Sequence, residues 1–188
     1  SARTTATRIL ASISVGQADR SEGEENADVA ALKKLQNQDG SFGDFYDTLY
    51  SVMALKAFDV TFMSEKAIEN LLSYQNEDGG FGHGLEADSF NPCSSPITTW
   101  NACCILKEIG WQDAAHPMVQ GILKYLESGK DYSEIHRQWM NTIPSNNDYP
   151  HAVWWGFNGE SDYNYNPTAM LCGFILRYAN EGGELYQK

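Results

Sequence analysis

One nine-residue string occurs twice in this chain, and the repetition limits the fold more than any other feature. Leu35-Gln36-Asn37-Gln38-Asp39-Gly40-Ser41-Phe42-Gly43 returns 39 positions later as Tyr74-Gln75-Asn76-Glu77-Asp78-Gly79-Gly80-Phe81-Gly82. Gln, Asn, Asp, Gly, Phe and Gly match in register. A fixed period of this length marks a chain built from stacked supersecondary units, none of which can bury its apolar face alone.

The flanks of each copy identify the unit. An amphipathic stretch precedes each turn: Val29, Ala30, Leu32 and Leu35 in the first, and Ala67, Ile68, Leu71 and Leu72 in the second. These positions fall on one helical face. A more uniformly apolar stretch follows each turn, Leu49 to Phe58 in the first and Ile97 to Ile109 in the second. A helix that is apolar nearly all round is covered on most sides. The unit is therefore an outer amphipathic helix, a glycine turn and an inner buried helix. Asp-Gly suits the tight turn, and Asp47-Thr48 and Thr98-Thr99 offer N-caps where the inner helices are expected to begin.

The pattern extends both ways. Thr4 to Val15 reads as an inner helix, Pro117 to Leu126 as an outer helix with proline in its first turn, and Pro167 to Tyr178 as an inner helix. That makes four inner and three outer helices. In the third unit a long insertion over 129–166 replaces the repeated turn, and insertions of that length in a compact repeat are usually functional or partly structured. The expected fold is all-α: helical-hairpin repeats forming a partial or complete α/α-toroid, as a single domain over residues 1–188.

The turn and its preceding helix resemble the glutamine-aromatic repeat of the terpenoid cyclase and protein prenyltransferase superfamily. Gln36 with Phe42, and Gln75 with Phe81, match its pattern. The likeness implies inner helices around a central cavity, belted by outer helices, with an isoprenoid or other apolar ligand inside. The superfamily's catalytic strings are not matched. No Asp-x-Asp-Asp or Asp-Asp-x-x-Asp occurs, nor a Gly-Cys-Gly-Glu-Gln thioester. At the positions where prenyltransferases bind zinc, this chain has Ser94, Pro96 and Asp47. The chain also offers fewer hairpins than a closed ring of this superfamily needs. It therefore reads as a fragment, an open arc, or a chain that self-associates to complete its ring.

Charge and composition exclude some partners. A net charge of −12 opposes binding to nucleic acid and to anionic membrane surfaces. No apolar run is long enough to span a bilayer, and no secretory signal is visible. A cytoplasmic location is the expectation, and no feature of the sequence decides it. Cys93, Cys103, Cys104 and Cys172 include no CxxC pair and read as buried free thiols.

Three groups of residues are candidates for chemistry. His83, Glu86 and Asp88 offer three metal-ligand types within six residues, although an acidic loop capping the next helix would look the same. Asp148 and His151 form a candidate acid/base pair. Around them Trp154, Trp155, Tyr163 and Tyr165 offer rings to stack on a sugar or line an apolar pocket. Tyr50 and Trp100 lie on inner helices, where the resemblance implies cavity-lining aromatics. No cofactor is indicated by sequence. Three functions fit: an enzyme or vestigial enzyme for an apolar ligand, a non-catalytic module for a protein or small ligand, and a glycan-active α/α-barrel using the 146–165 loop.

Overall fold

The computed structural model describes residues 1–14, 27–39, 41–43, 45–57, 68–159 and 165–187. These residues are mainly α-helical, and their strands form one two-stranded hairpin. They divide into two compact units, Ser1–Leu72 and Ser73–Lys188.

In the first unit, α1 (Ala2–Ser14) packs along α3 (Phe45–Ala57), and α2 (Ala27–Lys33) lies against both. Ala2, Ala6 and Ile9 recur at helical spacing and meet Val29, Leu32, Phe42, Ala54 and Leu55 in the core. Leu35, placed on the same outer-helix face by its spacing, is instead 45% exposed, because α2 ends at Lys33. Arg3 Nε donates to Asp47 at 2.9 Å, so Asp47 ties α3 to α1.

In the second unit, α4 (Pro96–Glu108) lies beside α6 (Tyr165–Tyr178), and α5 (Pro117–Glu127) packs against α6 and the short α7 (Glu184–Gln187). From Pro96 to Leu106 nearly every residue of α4 is buried, as its uniformly apolar sequence requires. Its cap differs from expectation. Ser95 is the N-cap, accepting from Thr98 N at 3.2 Å, and Pro96 occupies the first turn. Thr98 and Thr99 bond instead to the backbone of Phe81. Pro117 opens α5 as expected, with His116 Nδ1 accepting from Met118 N. In α6 the backbone at Asn166 is extended, so regular helix starts at Pro167.

The two repeated turns are built from the same hydrogen bonds. Asn37 N donates to Ser41 O and Asn76 N to Gly80 O, both at 2.8 Å. Asp39 and Asp78 each accept from the amide two residues on. Phe42 N donates to Thr48 Oγ1, and Phe81 N to Thr99 Oγ1. The second turn also shows what its glutamine does. Gln75 Nε2 donates to Gly79 O at 2.8 Å and to Met118 O at 3.0 Å, joining the turn to α5.

The 129–166 insertion is partly structured. It holds an antiparallel hairpin of β1 (Tyr132–Ser133) and β2 (Gln138–Trp139). Two 3-10 turns follow, Pro144–Asp148 and Val153–Trp155. Residues 160–164, including Tyr163, lie outside the described residues. The cysteines are free as expected, but Cys93 and Cys172 are exposed, so only Cys103 is fully buried and Cys104 partly so.

Candidate functional site

One difference between the two turns creates the site. Phe42 is six residues from its threonine partner, whereas Phe81 is eighteen from its own. The twelve additional residues form a loop between Gly82 and Ser95 that carries His83, Glu86 and Asp88. This loop and the 144–157 segment lie against each other. Ser89 and His151 form an antiparallel bridge, Phe90 N donates to Pro150 O, and Ala152 N donates to Asp88 O.

Buried amides hold the two segments in register. Asn91 Nδ2 donates to Ser145 Oγ and Asn146 Oδ1, both at 2.9 Å, and its own Oδ1 accepts from Cys93 N. Asn146 Nδ2 donates to Trp155 O at 2.8 Å. The Trp155 indole N–H then donates to Asp88 Oδ1. On the other side, Asn101 Nδ2 of α4 donates to Glu86 Oε2 at 2.8 Å. The chain of contacts therefore runs from α4 through Glu86 and Asp88 to the insertion.

The two carboxyls sit in different surroundings. Burial, the largest cause, raises the Glu86 carboxyl above the usual carboxylate range. The Asn101 amide opposes that rise and the neighbouring Asp88 carboxylate adds to it. A carboxyl whose pKa is raised by burial beside a second carboxyl is an arrangement that acid/base catalysis uses. The two segments also carry exposed apolar side chains: Phe90 is 60% exposed and Trp154 64%, with Tyr149 and Val153 also open to solvent.

The candidates from sequence fall out as follows. The structure does not gather His83, Glu86 and Asp88 as metal ligands. His83, at a φ of 58°, directs its ring to Asn76 Oδ1 at 2.8 Å, while Glu86 and Asp88 engage Asn101 and Trp155. Among the described residues no three His, Cys, Asp or Glu side chains converge as a metal group. Asp148 and His151 are not hydrogen-bonded to each other. The His151 Nδ1 faces Tyr149 O at 2.7 Å, and Asp148 is exposed. Trp100 is half-buried on α4, next to Asn101, and Tyr165 is 80% exposed at the start of α6. Tyr50 packs on the core of the first unit.

Sequence reasoning had named Glu86, Asp88, Trp154 and Trp155, but in two separate sites with different chemistry. It had missed Phe90, Asn91, Asn101 and Asn146. Two signals for them were present: the longer Phe-to-Thr interval of the second turn, and a lone amide, Asn101, inside an apolar helix. No family model, curated protein or solved structure matches the chain.

Proposed function

We propose that the Glu86–Asp88 face binds and cleaves a neutral or basic glycan. The carrying observation is the half-buried Glu86 carboxyl beside Asp88, on segments that also carry the exposed rings of Phe90, Tyr149 and Trp154. An exposed tryptophan packs well against the C–H face of a pyranose, while carboxyls and amides take its hydroxyls. In this reading Glu86 donates its proton to the glycosidic oxygen as the bond to the anomeric carbon breaks, Asp88 stabilises the positive charge that develops on the sugar ring, and a water molecule adds to that carbon and returns a proton to Glu86. Asn101 and Trp155 orient the two carboxyls. The net charge of −12 disfavours polyanionic substrates.

The architecture belongs to the same proposal. Each unit supplies outer-helix, turn and inner-helix elements of the kind an α/α-toroid is built from, and the matching hydrogen bonds of the two turns support that reading. Titration with neutral oligosaccharides, followed by tryptophan fluorescence, tests the function. Trp154→Ala is expected to weaken binding about two- to tenfold, since aromatic contacts of this class contribute about 0.5–1.5 kcal/mol. Its melting temperature should stay unchanged because the ring is exposed. Equal affinity in wild type and variant would remove Trp154 from the site. No binding by any oligosaccharide would favour a non-catalytic module for a protein partner.

A second observation favours an apolar ligand. Between α4 and α6 lies a cleft of about 450 Å³, lined mainly by apolar groups such as Cys103, Met170, Gly173 and Phe174, with Lys107 and Arg177 also in its wall. An isoprenoid is the apolar ligand that the terpenoid cyclase resemblance suggests for such a cleft. Farnesol binding that is lost in Phe174→Ala, with oligosaccharide binding intact, would assign the cleft to it.

A further inference from the structure

The cleft between α4 and α6 carries its cations at one end. Just beyond α4, Trp111 O accepts from Arg177 Nη2 at 3.0 Å and from the Tyr178 hydroxyl at 2.6 Å, so the C-terminal ends of the two helices lie together. Lys107 and Arg177 stand in those last turns, and both line the cleft. Further back the wall is apolar, with Cys103 on α4 and Met170, Gly173 and Phe174 on α6. No carboxylate is among the described lining residues. Neither Lys107 nor Arg177 forms an ion pair among the described residues, and there the Lys107 ammonium has no hydrogen-bond partner. Gly173 is a second, independent sign. It lies inside α6, where glycine costs a helix about 1 kcal/mol relative to alanine. Close packing does not require it, because an added Cβ would meet nothing within 4 Å. What the missing side chain leaves is room in the cleft.

Resting on the apolar-ligand reading of this cleft, we infer that its ligand is an amphiphile with one carboxylate head, of the class of a medium-chain fatty acid. The head pairs with Lys107 and Arg177, and the tail lies along Cys103, Gly173 and Phe174 toward Met170. Carboxylate geometry suits a guanidinium, and an ammonium beside it adds a second charge-assisted contact. A wholly apolar ligand would set both cations against hydrocarbon with nothing to pair with. A single negative charge fits better than several, since in a chain of net charge −12 each further one is repelled. Met170 and Arg177 are about 10 Å apart along the helix axis, which suits a tail of about eight carbons.

Octanoate is the probe and octanol its uncharged counterpart. The protein has five methionines, hence five methyl signals in an NMR spectrum of methionine-labelled protein, and Met170→Leu assigns the one in the cleft. Octanoate should move that signal over the millimolar range expected for so small a ligand. Octanol should bind about tenfold more weakly. Lys107→Gln should weaken octanoate about threefold, and Lys107→Gln with Arg177→Gln about tenfold, with octanol unchanged in both. Raising the salt from about 10 mM to about 1 M shortens the reach of a charge from about 30 Å to about 3 Å, so octanoate should lose affinity and octanol should not. Gly173→Leu fills the cleft at an exposed helix position that leucine suits, so it should block both ligands while the melting temperature holds or rises. If neither ligand moves the Met170 signal, or octanoate binds Gly173→Leu as it does wild type, the apolar-ligand reading fails and the inference with it. If octanol binds as tightly as octanoate, or the double variant keeps full octanoate affinity, the cleft reading stands and the inference is overturned, leaving Lys107 and Arg177 as charges that offset the helix dipoles.

Discussion

Exchanging Glu86 for glutamine is expected to lower oligosaccharide cleavage by roughly 10²–10⁴-fold, the range for loss of a positioned proton donor. Glutamine keeps the oxygen that accepts from Asn101 Nδ2, so the loop should hold its place. Binding should survive, and the loss should lie in kcat rather than KM. Stability supplies a second readout with a definite sign. The folded-state pKa of Glu86 is raised above the ordinary carboxylate value, by burial first and by Asp88 as well. The folded chain therefore holds this proton more tightly than the unfolded chain does. Stability from this group is greatest below the unfolded pKa and declines as pH rises through the folded one. Glu86→Gln removes the decline, so the variant should gain in melting temperature over wild type on going from pH 4 to pH 7. Cleavage that survives in Glu86→Gln would end the proton-donor role. A variant whose stability relative to wild type is unchanged over that range would show that Glu86 is not held protonated by the fold.

Gly79→Ala is expected to destabilise the second unit by about 3 kcal/mol or more. Two causes add. Gly79 has a φ of 92°, which side-chain-bearing residues rarely adopt, and a Cβ there would lie 1.9 Å from the Gly121 carbonyl oxygen of α5. Backbone cannot swing aside as a side chain can. The clash would push the turn off α5 and break the Gln75 bonds to Met118 O and Gly79 O. Gly159→Ala separates the causes, since its φ is 94° but no atom lies within 4 Å of the added Cβ. It should cost only the backbone strain, on the order of 1–2 kcal/mol. Urea unfolding of both variants measures the difference. Equal midpoints would mean that the close approach of the turn to α5 contributes nothing.

Much of the fold was legible because helices are written locally. Spacing of apolar residues marked α1 through α6, and the doubled string marked the turns whose shared hydrogen bonds recur in the structure. Proline at the start of α5 was equally readable, since a missing N–H costs nothing in a first turn. Caps were less so. Thr98 and Thr99 have the right chemistry to begin a helix, yet Ser95 does so, because the two threonines are taken by Phe81. Spacing also could not show that α2 stops short of Leu35.

The site divides along the same line. The sequence by itself determined which side chains were available: two carboxyls in one loop, and a tryptophan pair some 66 residues further on. Only the tertiary structure decided that Asp88 belongs with Trp155 rather than with His83, and that Asp148 and His151 do not pair. The physical reason is that a hydrogen bond acts over about 3 Å, whereas its partners here are 67 residues apart in the chain. The twelve-residue lengthening of the second turn lets one loop reach the insertion, and the Asn91 and Asn146 amides set the register between them. Burial at that junction is also what raises the Glu86 carboxyl, a property that exists only once the chain is folded.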